Sequence, residues 1–178
     1  MSELTQETRL ISIKTPLKTD ELLLTAFEGT EYISDLFVFQ IDVLSRNYSI
    51  KPEDLVGKEI TLSIQNEQKR TFNGYVSRFS YGEVESDNLR TYHLTMVPWL
   101  WFLSKSNNHR IFQEKSVEDI VSEVFKEYGF NDFAFKLTET HAKREYCVQY
   151  NESDLNFISR LLEEEGIVFN EKGRLDLE

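Results

Sequence analysis

The chain is poor in the residues that most often announce chemistry. Its single cysteine, Cys147, excludes an internal disulfide and any cysteine-built metal site, which fits a reducing compartment or indifference to oxidation. The three histidines, His93, His109 and His141, are far apart, and no two are spaced to place ligands on one helix face, so no metal is expected. The seven glycines stand singly at turns and caps and form neither GxGxxG nor a P-loop, and no nucleotide cofactor is expected. With three prolines and no Pro/Gly/Ser-rich stretch, there is no flexible linker, and there is no internal repeat. The longest unbroken apolar run, Trp99–Leu103, falls far short of the roughly 20 residues needed to span a bilayer. Met1–Arg9 is polar and carries acids, unlike a signal peptide. Basic residues are outnumbered 20 to 31, a net charge of −11, and no Lys/Arg cluster offers itself to a phosphate backbone, so nucleic acid is excluded as a partner.

What the chain has in quantity is aromatic residues: thirteen Phe, eight Tyr and two Trp, a load that points to sheet and to buried interfaces. Leu10, Ile11 and Ile13 form a short strand closed by Pro16, and Leu22–Phe27 a second, together reading as a hairpin that Gly29 ends. In Leu36–Ser45, Phe37, Phe39, Ile41 and Val43 share one face and the other is partly apolar, the mark of a central strand. Pro52 can open a short helix that Gly57 ends. Ile60–Ile64 and Phe72–Phe79 follow as strands joined by the turn Gln65–Arg70, with a bulge or bend at Gly74, and the loop Gly82–Asn88 leads to Tyr92–Val97. Residues 1–103 therefore read as an antiparallel barrel or sandwich. The aromatic knot after Pro98 has apolar surface in several directions and reads as a junction between packed units.

Residues 104–178 change to an α+β pattern. Ser116 caps a helix with Asp119 at the capping-box position; Val117, Ile120, Val121, Val124, Phe125 and Tyr128 recur at helical spacing, and Gly129 stops it. Strands follow at Phe133–Leu137 and Arg144–Tyr150. Ser153 then caps a second amphipathic helix with the stripe Leu155, Ile158, Leu161 and Leu162, ended by Gly166. Ile167–Phe169 begins a strand and Leu175 and Leu177 can begin its hairpin partner, but the chain is expected to stop before such a sheet is completed. Cys147 reads as a buried inert thiol, and Glu163–Glu165 as a helix end whose consecutive acids point different ways instead of flanking one sugar bond. No catalytic constellation is legible.

The motif Pro98-Trp99-Leu100-Trp101, with Arg110-Ile111-Phe112-Gln113 and Ser116-Val117, resembles the amino-terminal module of VgrG proteins, the type VI secretion spike. The second signature, Arg144–Tyr150 with Glu152-Ser153-Asp154 and Arg160–Ile167, agrees in order, as do Pro52–Lys58 and Phe72–Val76 upstream. The resemblance covers Arg9–Phe169. It implies a split-barrel-like phage tail-hub module, mainly β, with helical insertions and a second barrel truncated here. It also implies a homotrimer in the full-length protein, docked on a hexameric tube protein and preceding a puncturing needle, with effectors as possible partners. Assembly in the bacterial cytoplasm and delivery through the apparatus follow, without stable membrane insertion or catalysis. The motif residues to which it gives a packing or assembly role are Pro98, Trp99, Trp101, Arg110, Phe112, Gln113, Tyr146, Tyr150, Glu152, Asp154, Arg160 and Gly166. Two other readings remain: a contractile-phage tail hub, and a glycan- or peptidoglycan-binding module using exposed aromatics such as Trp99 or Trp101.

Overall fold

Alternation of apolar and polar side chains builds the first half. In a computed structural model describing residues 4–66, 68–85, 87–171 and 175–178, strand β3 (Val38–Ser45) buries Phe39, Ile41 and Val43. It lies between β2 (Leu23–Thr30) and β6 (Arg90–Val97), the interior position its two partly apolar faces predict. β1 (Ile11–Lys14), β4 (Glu59–Ile64) and β5 (Arg70–Val84) complete an antiparallel sheet in the order β1-β4-β5-β6-β3-β2, which curls into a nearly closed barrel. Its interior is filled by Ile60, Leu62, Phe72, Tyr92, Leu94 and Met96, with Phe39 against Phe72 at 4.9 Å between ring centroids. Each such aliphatic or aromatic side chain removed from water contributes roughly 1.5–3 kcal/mol before the entropy of ordering is counted. Pro52 opens α1 (Pro52–Leu55), and Gly57, at φ 73°, releases the chain from it.

Three details differ from the sequence reading. β1 and β2 do not form a hairpin: they are the two end strands of the sheet, and the buried carboxamide of Gln6 stands between them. Its Nε2 donates to Ile13 O (3.3 Å) and Leu22 O (3.0 Å), while its Oε1 accepts from Ile13 N and Leu24 N, both at 3.0 Å. One side-chain amide thus does for both edges what a neighbouring peptide would do. Gly29 lies within β2, where a Cβ would come within 2.2 Å of Phe39 Cδ1, so the glycine is there for close approach. The irregularities of β5 fall at Val76/Arg78 and Tyr81/Val84, with Gly74 in regular register opposite Ile60. β5 runs on through Gly82 to Val84, where the sequence read a loop, and the connections 65–69 and 85–89 contain Glu67 and Ser86, which lie outside the described residues.

The chain divides into two compact units, residues 1–31 with 37–98, and residues 32–36 with 99–178. In the second, Trp99–Lys105 winds as a 3-10 helix that buries Leu100 and Leu103. β7 (Asn107–Phe112), a strand absent from the sequence reading, follows and pairs with β9 (Cys147–Ser153). α2 (Val117–Glu127) starts at the expected cap, Asp119 N donating to Ser116 Oγ at 3.3 Å. α3 (Asp154–Glu164) starts likewise, Asn156 N donating to Ser153 Oγ at 3.1 Å, and Gly166 follows it at φ 69°. The core is the facing stripes of both helices, with Phe112 stacked on Phe157 at 5.7 Å.

The partner expected for the last strand at Leu175 and Leu177 forms, and the expectation that the sheet is left incomplete is corrected. β10 (Phe169–Glu171) pairs with β11 (Leu175–Leu177), which runs parallel to β8 (Phe133–Phe135) in one small sheet that buries Phe169 and Leu177. Ser34 adds a crossing that local pattern could not announce: its N–H donates to Phe169 O (2.9 Å) and its hydroxyl accepts from Phe169 N (3.2 Å).

Candidate functional site

The two-stranded ribbon β7–β9 organises the second unit because its two faces are chemically opposite. Alternation sends Asn108, Arg110 and Phe112 of β7, with Cys147 and Gln149 of β9, toward the helices, and His109 and Ile111, with Val148 and Tyr150, outward. Where the inward polar residues meet the first turn of α3, the Asp154 carboxylate is fully buried. It accepts from Arg110 Nη1 at 2.5 Å, Tyr128 Oη at 2.6 Å, Gln149 Nε2 at 2.7 Å and Asn108 Nδ2 at 3.0 Å. Ser106 Oγ adds a longer bond at 3.3 Å.

Burial pushes the Asp154 pKa upward, but donors from Arg110, Gln149, Tyr128 and Asn108 outweigh it and hold the pKa at about 2. The free amides at the start of α3 favour the same ionised form. Burial works against the Arg110 guanidinium, yet its bonds to Asp154 and Glu127 hold its pKa above the ordinary value. The Tyr128 phenol is pushed up, first by burial and then by its bond to the Asp154 carboxylate. A carboxylate whose lone pairs are all engaged does not take up a proton near neutral pH, so this geometry fixes structure: one anion ties β7, α2, β9 and α3 together.

A second ion pair lies along the chain from it. Gln149 Nε2 also donates to Glu152 O (3.1 Å), and the Glu152 carboxylate receives Arg160 Nη2 at 2.8 Å. The same Nη2 donates to Val148 O at 2.8 Å, closing part of the outer edge of β9, while the guanidinium lies 5.1 Å from the Phe157 ring centroid. Further on, the segment between β8 and β9 is pinned to both helices. His141 Nδ1 lies 3.0 Å from Glu118 Oε1, and Arg144 reaches Glu164 (2.7 Å) and Glu165 (2.6 Å). Those last acids, read from the sequence only as a helix end, have a partner in Arg144. Donating to the Glu118 carboxylate raises the His141 pKa above its ordinary value.

Of the motif residues, Arg110, Glu152, Asp154 and Arg160 are brought together at the β9–α3 junction, with Phe112 packed beneath. The others serve elsewhere. Pro98 is buried before the 3-10 helix; Trp99 packs on Phe125 at 4.8 Å and on Phe130 at 4.3 Å; Trp101 is half-buried with Lys105 Nζ 3.9 Å from its ring centroid. Gln113, Tyr146 and Tyr150 are exposed, and Gly166 ends α3. Sequence reasoning did not single out Ser106, Asn108, Tyr128 or Gln149 as members of the hub. The available signal was Gln149, a polar residue in phase with Cys147 on the inward side of a strand. Cys147 is buried, and burial pushes its thiol pKa up, as expected for a packing residue. Among the described residues, no group of three or more His, Cys, Asp or Glu side chains is placed to hold a metal ion, and no helix is long and apolar enough to cross a membrane.

The chain combines a nearly closed antiparallel barrel with an α+β unit that holds a buried polar hub. A solved Escherichia coli component of the type VI secretion system, described as structurally similar to the bacteriophage T4 tail proteins gp27 and gp5, matches with a TM-score of 0.84 at 27% identity. That match covers 93% of this chain and 48% of that one. The type VI secretion system spike protein VgrG1a of Pseudomonas aeruginosa is 40% identical over 166 residues, which is 92% of this chain and 26% of that protein. VgrG1c of the same organism is 37% identical over 92% of this chain and 23% of its own length. The chain spans about a quarter of the length of these curated relatives. The phage tail baseplate hub (GPD) family model matches residues 30–176, and the chain belongs to that family, with the VgrG resemblance of its motifs upheld.

Proposed function

We propose that this chain is the base of the membrane-puncturing spike of a type VI secretion system. It docks on the hexameric tube protein, forms a homotrimer as part of the full-length protein, and bears a needle that leads effector delivery. It assembles in the bacterial cytoplasm and leaves through the apparatus. The observation that carries this reading is the 37–40% identity to VgrG spike proteins across nine-tenths of the chain. The architecture supports it: side chains that elsewhere supply acid, base or nucleophile are here spent on packing, as in the saturated Asp154 and the buried Cys147. The reading assigns the chain a mechanical role and no reaction of its own.

Deleting the gene that encodes this chain, in a strain without a paralogue, should abolish tube assembly and firing, and normal firing in the deletion would refute the assignment. The family description keeps one second reading in play, a contractile-phage tail hub. Genes for tube, sheath and membrane complex beside this one favour secretion, and genes for capsid and terminase favour phage. The glycan-binding reading loses one of its two named aromatics, since Trp99 is packed between Phe125 and Phe130, while Trp101 is half-buried.

A further inference from the structure

The segment between β8 and β9 is held to the second unit by charge instead of burial. Its ends are anchored by Leu137, packed against the core, and by the buried Cys147. Of residues 138–146 between them, only His141 and Arg144 are not exposed, and no apolar side chain within the segment is buried. Each of these two residues reaches a different helix. His141 Nδ1 meets Glu118 in the first turn of α2 at 3.0 Å, and Arg144 meets Glu164 and Glu165 at the end of α3. Arg144 N also donates to Lys115 O at 2.9 Å, so the segment is tied by its backbone at that point. A stretch with so little burial lies at the low end of local stability, and it responds to the loss of either charge.

We propose that residues 138–146 form a proton-operated strap, closed while the His141–Glu118 ion pair is intact and swinging open about Arg144 when His141 is neutral. The pair is sheltered, its side chains being 13% and 24% exposed, so solvent screens it less than a surface pair. Glu118 Oε2 is buried and accepts no hydrogen bond, so the imidazolium supplies the compensation that this oxygen gets from no donor. A neutral ring can still donate one hydrogen bond, but it leaves a dry carboxylate oxygen without a countercharge, and lifting the strap brings water to it. The surroundings are also one-sided. The charged groups that face His141 from the packed elements are the acids Glu118 of α2 and Glu165 at the end of α3; the cation Arg144 on the strap itself is engaged by Glu164 and Glu165. The bond to Glu118 outweighs the burial that opposes charge, and with Glu165 it raises the His141 pKa. The strap is therefore closed in acid and opens as pH rises through that raised value.

Burial opposes charge on Arg144 too, yet its bonds to Glu165 and Glu164 hold its pKa above the ordinary value, so it stays charged throughout and serves as the hinge. Asp154, with its pKa held at about 2, does not titrate in this range, and the hub stays whole while the strap moves. The strap does not depend on the spike reading, whose success or failure is scored by tube assembly.

The test is limited trypsin digestion of the folded chain in steps from about pH 6 to about pH 8.5, a window that spans histidine titration. Cleavage after Lys143, an exposed residue of the strap, is read by mass spectrometry. Dividing each rate by that of a free peptide of the same residues 136–150 at the same pH removes the protease's own pH dependence. The divided rate tracks the open population and should rise by about threefold or more across the window. In His141→Gln and in Glu118→Gln it should not change with pH. In Arg144→Gln it should be higher at every pH and keep its rise. Cleavage after Lys126, within α2, should stay slow throughout, which separates opening of the strap from unfolding of the unit. The His141 ring, followed by NMR, should titrate with the midpoint of the cleavage curve. Circular dichroism checks that each variant is folded. A wild-type rate that is flat with pH, or a rise that survives His141→Gln or Glu118→Gln, overturns the proposal. So does an equal rise after Lys126, or a ring midpoint more than about one pH unit from that of cleavage.

Discussion

Replacing Asp154 by Asn keeps the size and shape of the side chain and removes only its charge, which isolates what the buried carboxylate contributes. The folded pKa of about 2 against an ordinary 3.8 is a difference near two units, roughly 2.5 kcal/mol of preference for the ionised form. The substitution forfeits that preference, turns an N–H of the new amide toward donors, and leaves Arg110, itself mostly buried, with Glu127 as its remaining acid. Breaking one side of a buried pair costs about 3–5 kcal/mol, and because Asn retains one acceptor oxygen, a loss of about 3 kcal/mol is expected. Both tryptophans of the chain lie in the second unit, so urea unfolding followed by their fluorescence reports on that unit alone. A depressed carboxylate pKa makes a contribution that is present above the unfolded value and is lost as pH falls through the folded one. The wild-type protein should therefore lose this increment between about pH 5 and pH 1, and the Asn variant should show a flatter profile over that window. Glu127→Gln, altering a half-exposed partner of the same arginine, should cost under about 1 kcal/mol. An Asp154→Asn protein within about 0.5 kcal/mol of wild type, less than a typical single hydrogen bond, would refute the account of the hub.

Gln6→Ala removes the amide that serves both edges of the barrel, leaving Ile13 N and Leu24 N without their acceptor; a loss of about 2–4 kcal/mol and faster hydrogen exchange at those two amides are expected. Gly29→Ala places a methyl group 2.5 Å from Val38 O as well as against Phe39, and should cost about 1–3 kcal/mol by denaturant midpoint, more than Gly57→Ala, where space is open and only the positive φ opposes the change. The raised His141 pKa contributes stability that is fully present below pH 6.5 and is lost as pH rises through the higher folded value. Hydrogen exchange in residues 138–146 should accordingly quicken from pH 6 to pH 8.5, after correction for intrinsic rates, and His141→Gln should abolish that excess.

What was legible in the sequence was what is local. The caps Ser116 and Ser153, the stripes of α2 and α3 and the alternation of β3 each declare themselves within a dozen residues, and all are present. The motif acids and arginines were legible only through family resemblance, because what makes Asp154 special is its burial, and its partner Arg110 lies 44 positions away. β7 escaped for the same reason. Its inward residues Asn108 and Arg110 are polar, so the strand carries no apolar alternation, and only the buried carboxylate explains why they face inward. Gln6 is the same case in the barrel: a polar residue near the start of the chain looks solvated until two strand edges close around it. The β1–β2 hairpin was misread because adjacency in sequence is the usual guide to pairing, whereas a nearly closed barrel sets these neighbours at opposite ends of the sheet order.

The most direct measurement is the amount of tube protein released into the medium by a strain deleted for this gene and complemented either with the wild-type gene or with the gene encoding Asp154→Asn. The account predicts no release from the deletion strain, full release with the wild-type gene, and reduced release with the Asn variant in proportion to the folded protein that remains. Undiminished release from the deletion strain would contradict the claim that this chain is the base of the spike.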